Sequence, residues 1–391
     1  MEEQVHDVVI IGAGIMGSCT AYHAAMRGLN PLVFEQFGST HKKGASHGKS
    51  RMFRFLYPEL PYLQTAMAAK KLWEQLQADS GTSLFKKSEY VLISDRKRVV
   101  QTSMNLSECD LFHEVLKAGE INKKYPTLKY TLDWFALIDY EGGLLYAENC
   151  LDAARTEAAK RGATFRFTER VVEVISKKDH VLVVTNRGRY LTKKLVVTAG
   201  AWMSKILPEI DDMAEIQSVQ VPRLYWNVDP QHSRDFGNGP VVEVDRYTNV
   251  FYIVPPVDHH NQVKVSVNIG APHDPDHPLE THHNMELLIS CVGEHIREHI
   301  PHVDYRRPAT IEMGTETVTD SGNFLVGRYP DDDRISLACG FGGNGFNFAI
   351  VVGQMLADLV EDAEEEDVVP ETFSIEAQLD RLYWSHLRQK A

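Results

Sequence analysis

Apolar positions along the chain follow two different periods. Val8 to Ile11 is an unbroken apolar run, the pattern of a strand covered on both faces. A helical stretch from Ser18 to Arg27 follows it, and "PLVFE" closes a second strand at Glu35. Pro61 to Gly81 carries apolar residues at helical spacing and predicts a long amphipathic helix. Glu89 to Ser94 reads as a short strand, and "LVVTAGAWMSKILPEI" (Leu195 to Ile210) as a strand that ends in glycine and opens a helix. "VKVSV" alternates strictly, which puts Lys264 on the outward face of a strand. Met285 to His302 predicts an amphipathic helix with its histidines on the polar side. Near the end, "LACGFGGNGFNFAIVVGQML" (Leu337 to Leu356) reads as strand, glycine-rich loop and helix. No internal repeat or low-complexity segment interrupts the pattern.

Composition narrows the function classes. With 391 residues, 43% hydrophobic and 24% charged, the chain has the make-up of two or three globular domains. A net charge of -13, with Lys and Arg dispersed, excludes nucleic acid as a partner. Much of the acidic excess sits in "VEDAEEEDVVPE" (Val360 to Glu371), read as a solvated loop. No apolar run approaches the ~20 residues of a bilayer span, so no membrane role is expected. The five cysteines are scattered without a CxxC pair, which predicts neither a disulfide framework nor a zinc site, and fits a reducing compartment. The acidic "MEEQVHD" gives no sign of a secretory leader. The closing "RQKA" is not a clear peroxisomal address, and "SHL" (Ser385 to Leu387) stands four residues too early. A cytoplasmic protein is expected, with the peroxisome as the alternative. Histidines cluster in "DHH", "HDPDH" and "THH", all in turns without regular ligand spacing, so no metal is expected.

The chemistry begins at the first loop. Gly12, Gly14 and Gly17 give GxGxxG between a strand and a helix. The first glycine permits the tight turn, the second lets a pyrophosphate approach the backbone, and the third lets helix pack on strand. Glu35, 23 residues after Gly12, ends the next strand, where a carboxylate accepts hydrogen bonds from ribose hydroxyls. The motif alone does not separate NAD from FAD. An NAD enzyme would complete its sheet soon afterwards, whereas here the strand–glycine–helix pattern returns only near Gly200 and again near Gly342. One sheet assembled from distant segments is the layout of proteins that hold FAD extended, with the last helix N-terminus facing the flavin.

Several stretches resemble the D-amino acid oxidase superfamily, and within it the monomeric sarcosine oxidase and pipecolate oxidase family. They are "GASHGKSRMFRFLYPE", "GGLLYAENCLDAARTEAAKRGA", "VVTAGAWMSKIL", "VVEVDRYTNVFYIVPPVDHHNQVKVSVNIGAPHDPD", "TDSGNFLVG" and "ACGFGGNGFNFAIVVG". The resemblance implies an α/β chain with a discontinuous, glutathione-reductase-type Rossmann domain and an interleaved mixed-sheet substrate domain. The FAD domain would take 1–80, 145–210 and 310–391, and the substrate domain 81–144 and 211–309. FAD would be held by Gly12, Gly14, Ile15, Met16, Gly17, Glu35, Ser50, Arg51, Val172, Gly200, Gly342, Gly343, Asn344, Gly345 and Phe346. Arg51 would lie against the flavin ring and Arg54 would bind a substrate carboxylate. His47 and Tyr252 would line the site, Asn347 would stand at the substrate, and Lys264 would activate oxygen. From the residues alone, Arg51 and Arg54 also fit a surface helix, Lys264 an exposed strand position, and Tyr252 ordinary core.

Four positions depart from that family's pattern. Met313 stands where the family has a cysteine bonded to the flavin, so the FAD is expected to be non-covalent. Asn344 replaces a histidine and Asn347 a carboxylate-holding lysine, and Asn268 stands where sarcosine oxidases have another histidine. The resemblance therefore implies a monomeric, FAD-dependent oxidase of a small amine or amino acid that uses O2 and releases H2O2. A dehydrogenase with another electron acceptor, or a silent flavin- or metabolite-binding protein, stays open.

Overall fold

The computed structural model describes residues 4–131, 133–246 and 249–380. "SHL" and "RQKA" lie outside the described residues. Five strands from distant parts of the chain run parallel side by side. Their order is Thr164–Phe167, Leu32–Glu35, Val5–Ile11, Arg189–Val197 and Asp332–Cys339. Antiparallel strands Val181–Thr185 and Leu325–Tyr329 extend this sheet. Parallel strands need both faces covered, which explains their near-continuous apolar runs. One face packs against the helices Ile15–Met26, Ala147–Lys160 and Gly345–Val360, with Leu60–Ser80 beyond. The first and last of the three cross closely: a Cβ on Gly353 would lie 2.6 Å from the backbone of Cys19.

The first helix starts at Ile15, three residues earlier than its pattern predicts. Gly17 belongs to the first turn, because a Cβ there would lie 1.9 Å from the Gly12 carbonyl. Gly200, at φ +54°, opens only a 3-10 turn, Gly200–Trp202, and the short helices Met203–Ile206 and Glu209–Ala214 replace the single helix expected there. The acidic "VEDAEEEDVVPE" holds a short helix, Glu365–Val368. Among the described residues no helix is long and apolar enough to cross a membrane.

A second, nine-stranded sheet is built mainly from Tyr90–Ser94, Phe135–Asp139 and strands between Gln217 and Val318. The strand Thr310–Val318 pairs along its whole length with Gln217–Asn227. The boundary expected at 310 therefore shifts past Val318. One face of this sheet buries Trp226, Val242, Val244, Ile253, Val263 and Val265 with the helix Met285–His299. That helix corrects another expectation. His295 faces the sheet, not water, and stacks on Phe251 with ring centroids 4.1 Å apart. The sheet's apolar side needs a flat partner there, and a neutral imidazole supplies it.

Two buried histidines make the fold acid-sensitive. Burial pushes the pKa of His295 down to about 3 and that of His23 down to about 4. Both return to about 6.5 in the unfolded chain, so the unfolded state binds more protons below that pH. Their contribution is complete above about pH 6.5 and is lost as pH falls toward the folded values, at about 2 kcal/mol each by pH 5. Denaturant unfolding at about pH 7.5 and about pH 5 should show this loss. It should shrink in His295→Phe and further when His23→Leu is added. Equal pH dependence in all three proteins would contradict the assignment.

Candidate functional site

The carboxyl ends of the parallel strands converge on one place, as open parallel sheets require of their ligand sites. Gly12 follows the first strand at φ +98°, with a virtual Cβ only 2.5 Å from the Thr198 carbonyl after the fourth. Glu35 ends the second strand, buried, and accepts from the Ala13 N–H at 3.1 Å and the Phe37 N–H at 3.0 Å. The 3-10 turn Gly342–Asn344 runs directly into the closing helix. Between these ends lies a cavity of ≈ 380 Å³. Every site residue expected from the sequence lines it except Gly17, which packs beneath the loop on Gly12. Val172 stands at its rim, 55% exposed.

The second sheet roofs the far end of this cavity. Residues opposed in an antiparallel ladder share a face. Tyr225 is opposite Lys264, Tyr252 opposite both Ser266 and Glu243, and Arg223 opposite Glu312. This polar face meets the cavity, and the alternate residues form the apolar core behind it. Lys264 does point away from that core, but into the cavity, with its side chain 15% exposed. Ser50–Phe53 is a strand in a small third sheet, which replaces the surface-helix reading of Arg51 and Arg54.

The charges are paired more fully than the sequence predicts. Arg54 is buried, with Nη1 3.3 Å from a carboxylate oxygen of Glu243. Tyr90 donates to the same oxygen at 2.9 Å, and Arg54 Nη2 donates to Asn344 Oδ1 at 3.1 Å. Arg54 thus already has a counter-charge in Glu243, as its burial requires, because a buried guanidinium without one would cost several kcal/mol. Asn347 donates through Nδ2 to the Tyr57 hydroxyl at 2.8 Å, and its buried Oδ1 has no partner. It therefore offers an acceptor where a cation was the alternative.

Lys264 donates to Asp258 Oδ2 at 2.8 Å, while the buried Asp258 Oδ1 has no hydrogen-bond partner among the described residues. Burial lowers the Lys264 pKa, and Asp258 offsets part of that. Arg51 is pinned by the carbonyls of Ser50, Ala45 and His47, at 2.8, 2.7 and 2.5 Å. Burial and the neighbouring Arg223 press its pKa down, but a guanidinium keeps its charge. His47 sits 2.6 Å from the Gly44 carbonyl through Nδ1, and burial lowers its pKa, so it presents a neutral ring. Burial, reinforced by Glu243, raises the pKa of Tyr252, which stays a phenol.

Sequence reasoning missed six of the residues gathered here. Ser46 accepts from the Ile15 N–H at 2.9 Å, and Arg155 donates to the Ala13 carbonyl at 3.2 Å. Arg223 lies across Gly314, where a Cβ would meet its Nη2 at 2.6 Å. A glycine inside a strand pattern signals such a close approach. Glu316, whose carboxyl pKa is raised by burial, lines the cavity beside it. Glu243 and Asp258 gave no local signal. Among the described residues no His, Cys, Asp or Glu cluster is arranged to hold a metal ion.

Comparison with known proteins agrees with this geometry. The FAD dependent oxidoreductase family matches residues 7–359. A Caenorhabditis elegans protein provisionally named a sarcosine oxidase is 33% identical, over 90% of this chain and 93% of its own. The monomeric sarcosine oxidase of Streptomyces avermitilis is 30% identical, over 90% and 93% respectively. The peroxisomal sarcosine oxidase of Mus musculus is 29% identical, over 90% and 91%. Among solved structures, NikD, an unusual amino acid oxidase essential for nikkomycin biosynthesis, superposes with TM-score 0.80 at 21% identity, covering 92% of this chain and 95% of its own.

The residues present fit the dinucleotide this family binds. At Gly14, on the cavity wall, an added Cβ would intrude beside Ser46 Oγ, 3.0 Å away. One continuous cavity is lined by Gly14 and Glu35 at the parallel sheet and by Lys264 and Tyr252 under the second sheet. The chain belongs to the FAD dependent oxidoreductase family, on its sarcosine oxidase branch, and is a flavin-dependent oxidoreductase.

Proposed function

We propose that this protein oxidises the C–N bond of a small secondary amine or amino acid, of the N-methyl, cyclic or opine type. The imine would hydrolyse to an aldehyde or keto product, and O2 would be reduced to H2O2. The observation that carries the reading is the single cavity shared by the glycine loop and the polar face of the second sheet. When bound, the FAD supplies a hydride acceptor and passes the electron pair on to oxygen. Gly12, Gly14, Gly17 and Glu35 would hold its dinucleotide end, and Arg51, Gly342 and Gly345 the flavin end. Tyr252, Asn344 and Asn347 would orient the substrate, and Lys264 would place positive charge near the reacting atoms. The relatives named sarcosine oxidases support the substrate class, and the word monomeric in some of their names supports a monomer. Cytoplasm is the proposed location. The peroxisome is the alternative, and the Mus musculus and Homo sapiens relatives carry that compartment in their names. A second reading, a dehydrogenase with another acceptor, is favoured by one contact, the Asp258 carboxylate that neutralises Lys264.

A peroxide assay on holoprotein with a panel of N-methyl, cyclic and opine-type amines tests the reading, and peroxide with none of them would refute the oxidase form. Lys264→Met should slow reoxidation of the reduced holoprotein by about two to three orders of magnitude, because a preorganised charge is lost at a developing anion. Stopped-flow reoxidation at the native rate would remove Lys264 from this role.

The pairing of Arg54 governs selectivity. With its charge cancelled by Glu243 and an amide at 347, sarcosine should bind poorly and larger substrates with a polar group for Asn347 should bind better. Glu243→Gln would free the guanidinium for a substrate carboxylate. The KM for amino-acid substrates should then fall about tenfold or more, as for one charge-assisted hydrogen bond. KM should barely change for amines without a carboxylate. Equal effects on both classes would show that Glu243 does not set this preference.

The flavin attachment is testable directly. Among the described residues no cysteine lines the cavity: Cys19, Cys150 and Cys339 are buried in the packing around the sheet, and Met313 is not in the lining, although its ladder partner Pro222 is. Acid precipitation should therefore leave a colourless pellet and a yellow supernatant. A yellow pellet whose intact mass is raised by one FAD would show a covalent bond.

A further inference from the structure

Behind Lys264 runs a chain of polar groups that none of the steps above uses. Lys264 Nζ donates to Asp258 Oδ2 at 2.8 Å. The Tyr225 hydroxyl lies 3.1 Å from that same oxygen and 3.0 Å from Glu312 Oε2. Glu312 Oε1 is 3.0 Å from His259 Nε2. The path leaves the buried interior for the two outer, partly exposed groups. The Asp258 and Lys264 side chains are 8% and 15% exposed, whereas those of His259 and Glu312 are 31% and 37% exposed. We propose that Asp258, Tyr225, Glu312 and His259 form a proton relay between Lys264 in the cavity and solvent at His259.

The proton count favours this over a purely structural network. A hydroxyl carries one proton, yet Tyr225 sits within hydrogen-bond distance of two carboxyl groups. Its one proton can lie toward only one of them at a time, so the hydroxyl can take a proton from Asp258 while it releases its own toward Glu312. Glu312, whose other oxygen faces His259, is the next carrier, receiving that proton and passing it to His259. The other charged groups facing the inner end are Arg51 and Arg223, both cations, so a proton arriving at Lys264 is repelled from every side but Asp258. Lys49 donates to the Asp258 carbonyl at 2.8 Å and fixes that turn. At the outer end His259 packs edge-on against the Tyr225 ring, with centroids 4.5 Å apart.

The relay rests on the amine-oxidation reading of the same cavity, whose chemistry needs such an exit. A protonated secondary amine that gives a hydride from its α-carbon to the bound acceptor must also lose one N–H proton to become the singly charged iminium. The Lys264 ammonium gives a proton to Asp258 and takes the amine's proton in its place, so its positive charge is restored. Asp258 protonates the Tyr225 oxygen while Tyr225 hands its own proton to Glu312, and Glu312 delivers to His259 and water. Every group returns to its starting state after the tyrosine hydroxyl rotates back.

His259→Ala, at the half-exposed outer end, is the first test. In weak buffer its amine-driven kcat should fall about tenfold or more, the scale of one proton-transfer group, and added imidazole should restore it. Tyr225→Phe, which keeps the Lys264–Asp258 pair, should fall comparably and resist rescue, with a changed pH profile. Native kcat in His259→Ala with no imidazole effect, or a native pH profile in Tyr225→Phe, would overturn the relay. A readout without turnover separates this from the reading beneath it. By 15N NMR of the amine-free protein, Lys264→Met should shift the titration of His259 when Tyr225 is present and not in the Tyr225→Phe background. The same shift in both backgrounds would overturn the relay even if no amine proves to be a substrate.

Discussion

Four cations, Arg51, Arg54, Arg223 and Lys264, are gathered at the end of the cavity beneath the second sheet, and most of the site follows from how they are neutralised. A buried charge without a partner costs several kcal/mol, so each requires a carboxylate or a ring of carbonyls. Glu243 answers Arg54, Asp258 answers Lys264, Glu316 sits among the others, and backbone carbonyls grip Arg51. The cavity is consequently less positive than its count of basic residues implies. That constraint pairs Arg54 with Glu243 and leaves Lys264 joined to a hydrogen-bonded path toward Glu312 and His259.

The scaffold does the positioning. Five parallel strands end at one crevice, so the glycine loop, Glu35, Thr198 and the Gly342–Gly345 turn converge although they are far apart in the chain. The second sheet presents its polar face to that crevice because its other face is sealed by the helix Met285–His299. Cofactor and substrate are thus brought together by two sheets, each with one wet and one dry side.

Much of this was legible in the sequence, for physical reasons. Gly12, Gly14 and Gly17 declare themselves because only glycine fits those approaches, and alternation around Lys264 marks its side chain as facing away from the core. Pairing across strands is different. Glu243 meets Arg54, and Asp258 meets Tyr225, only through the register of strands remote in the chain, although Asp258 and Lys264 share one hairpin. Periodicity shows which residues share a face of one strand, but not which strand lies beside it. His295 misled for a related reason: helical spacing marked it as polar-sided, but the apolar sheet wraps further round the helix than the histidine pattern shows. The substitutions at 313, 344 and 347 were readable as departures, yet that Asn347 is engaged by Tyr57 emerged only from the packing.

The most direct test of the account is an anaerobic titration of the yellow holoprotein with candidate amines, followed in its visible spectrum. The account predicts that a secondary amine with a polar group beyond its nitrogen bleaches the oxidised flavin fully, at lower concentration than sarcosine. A flavin that dithionite bleaches but no amine does would contradict it.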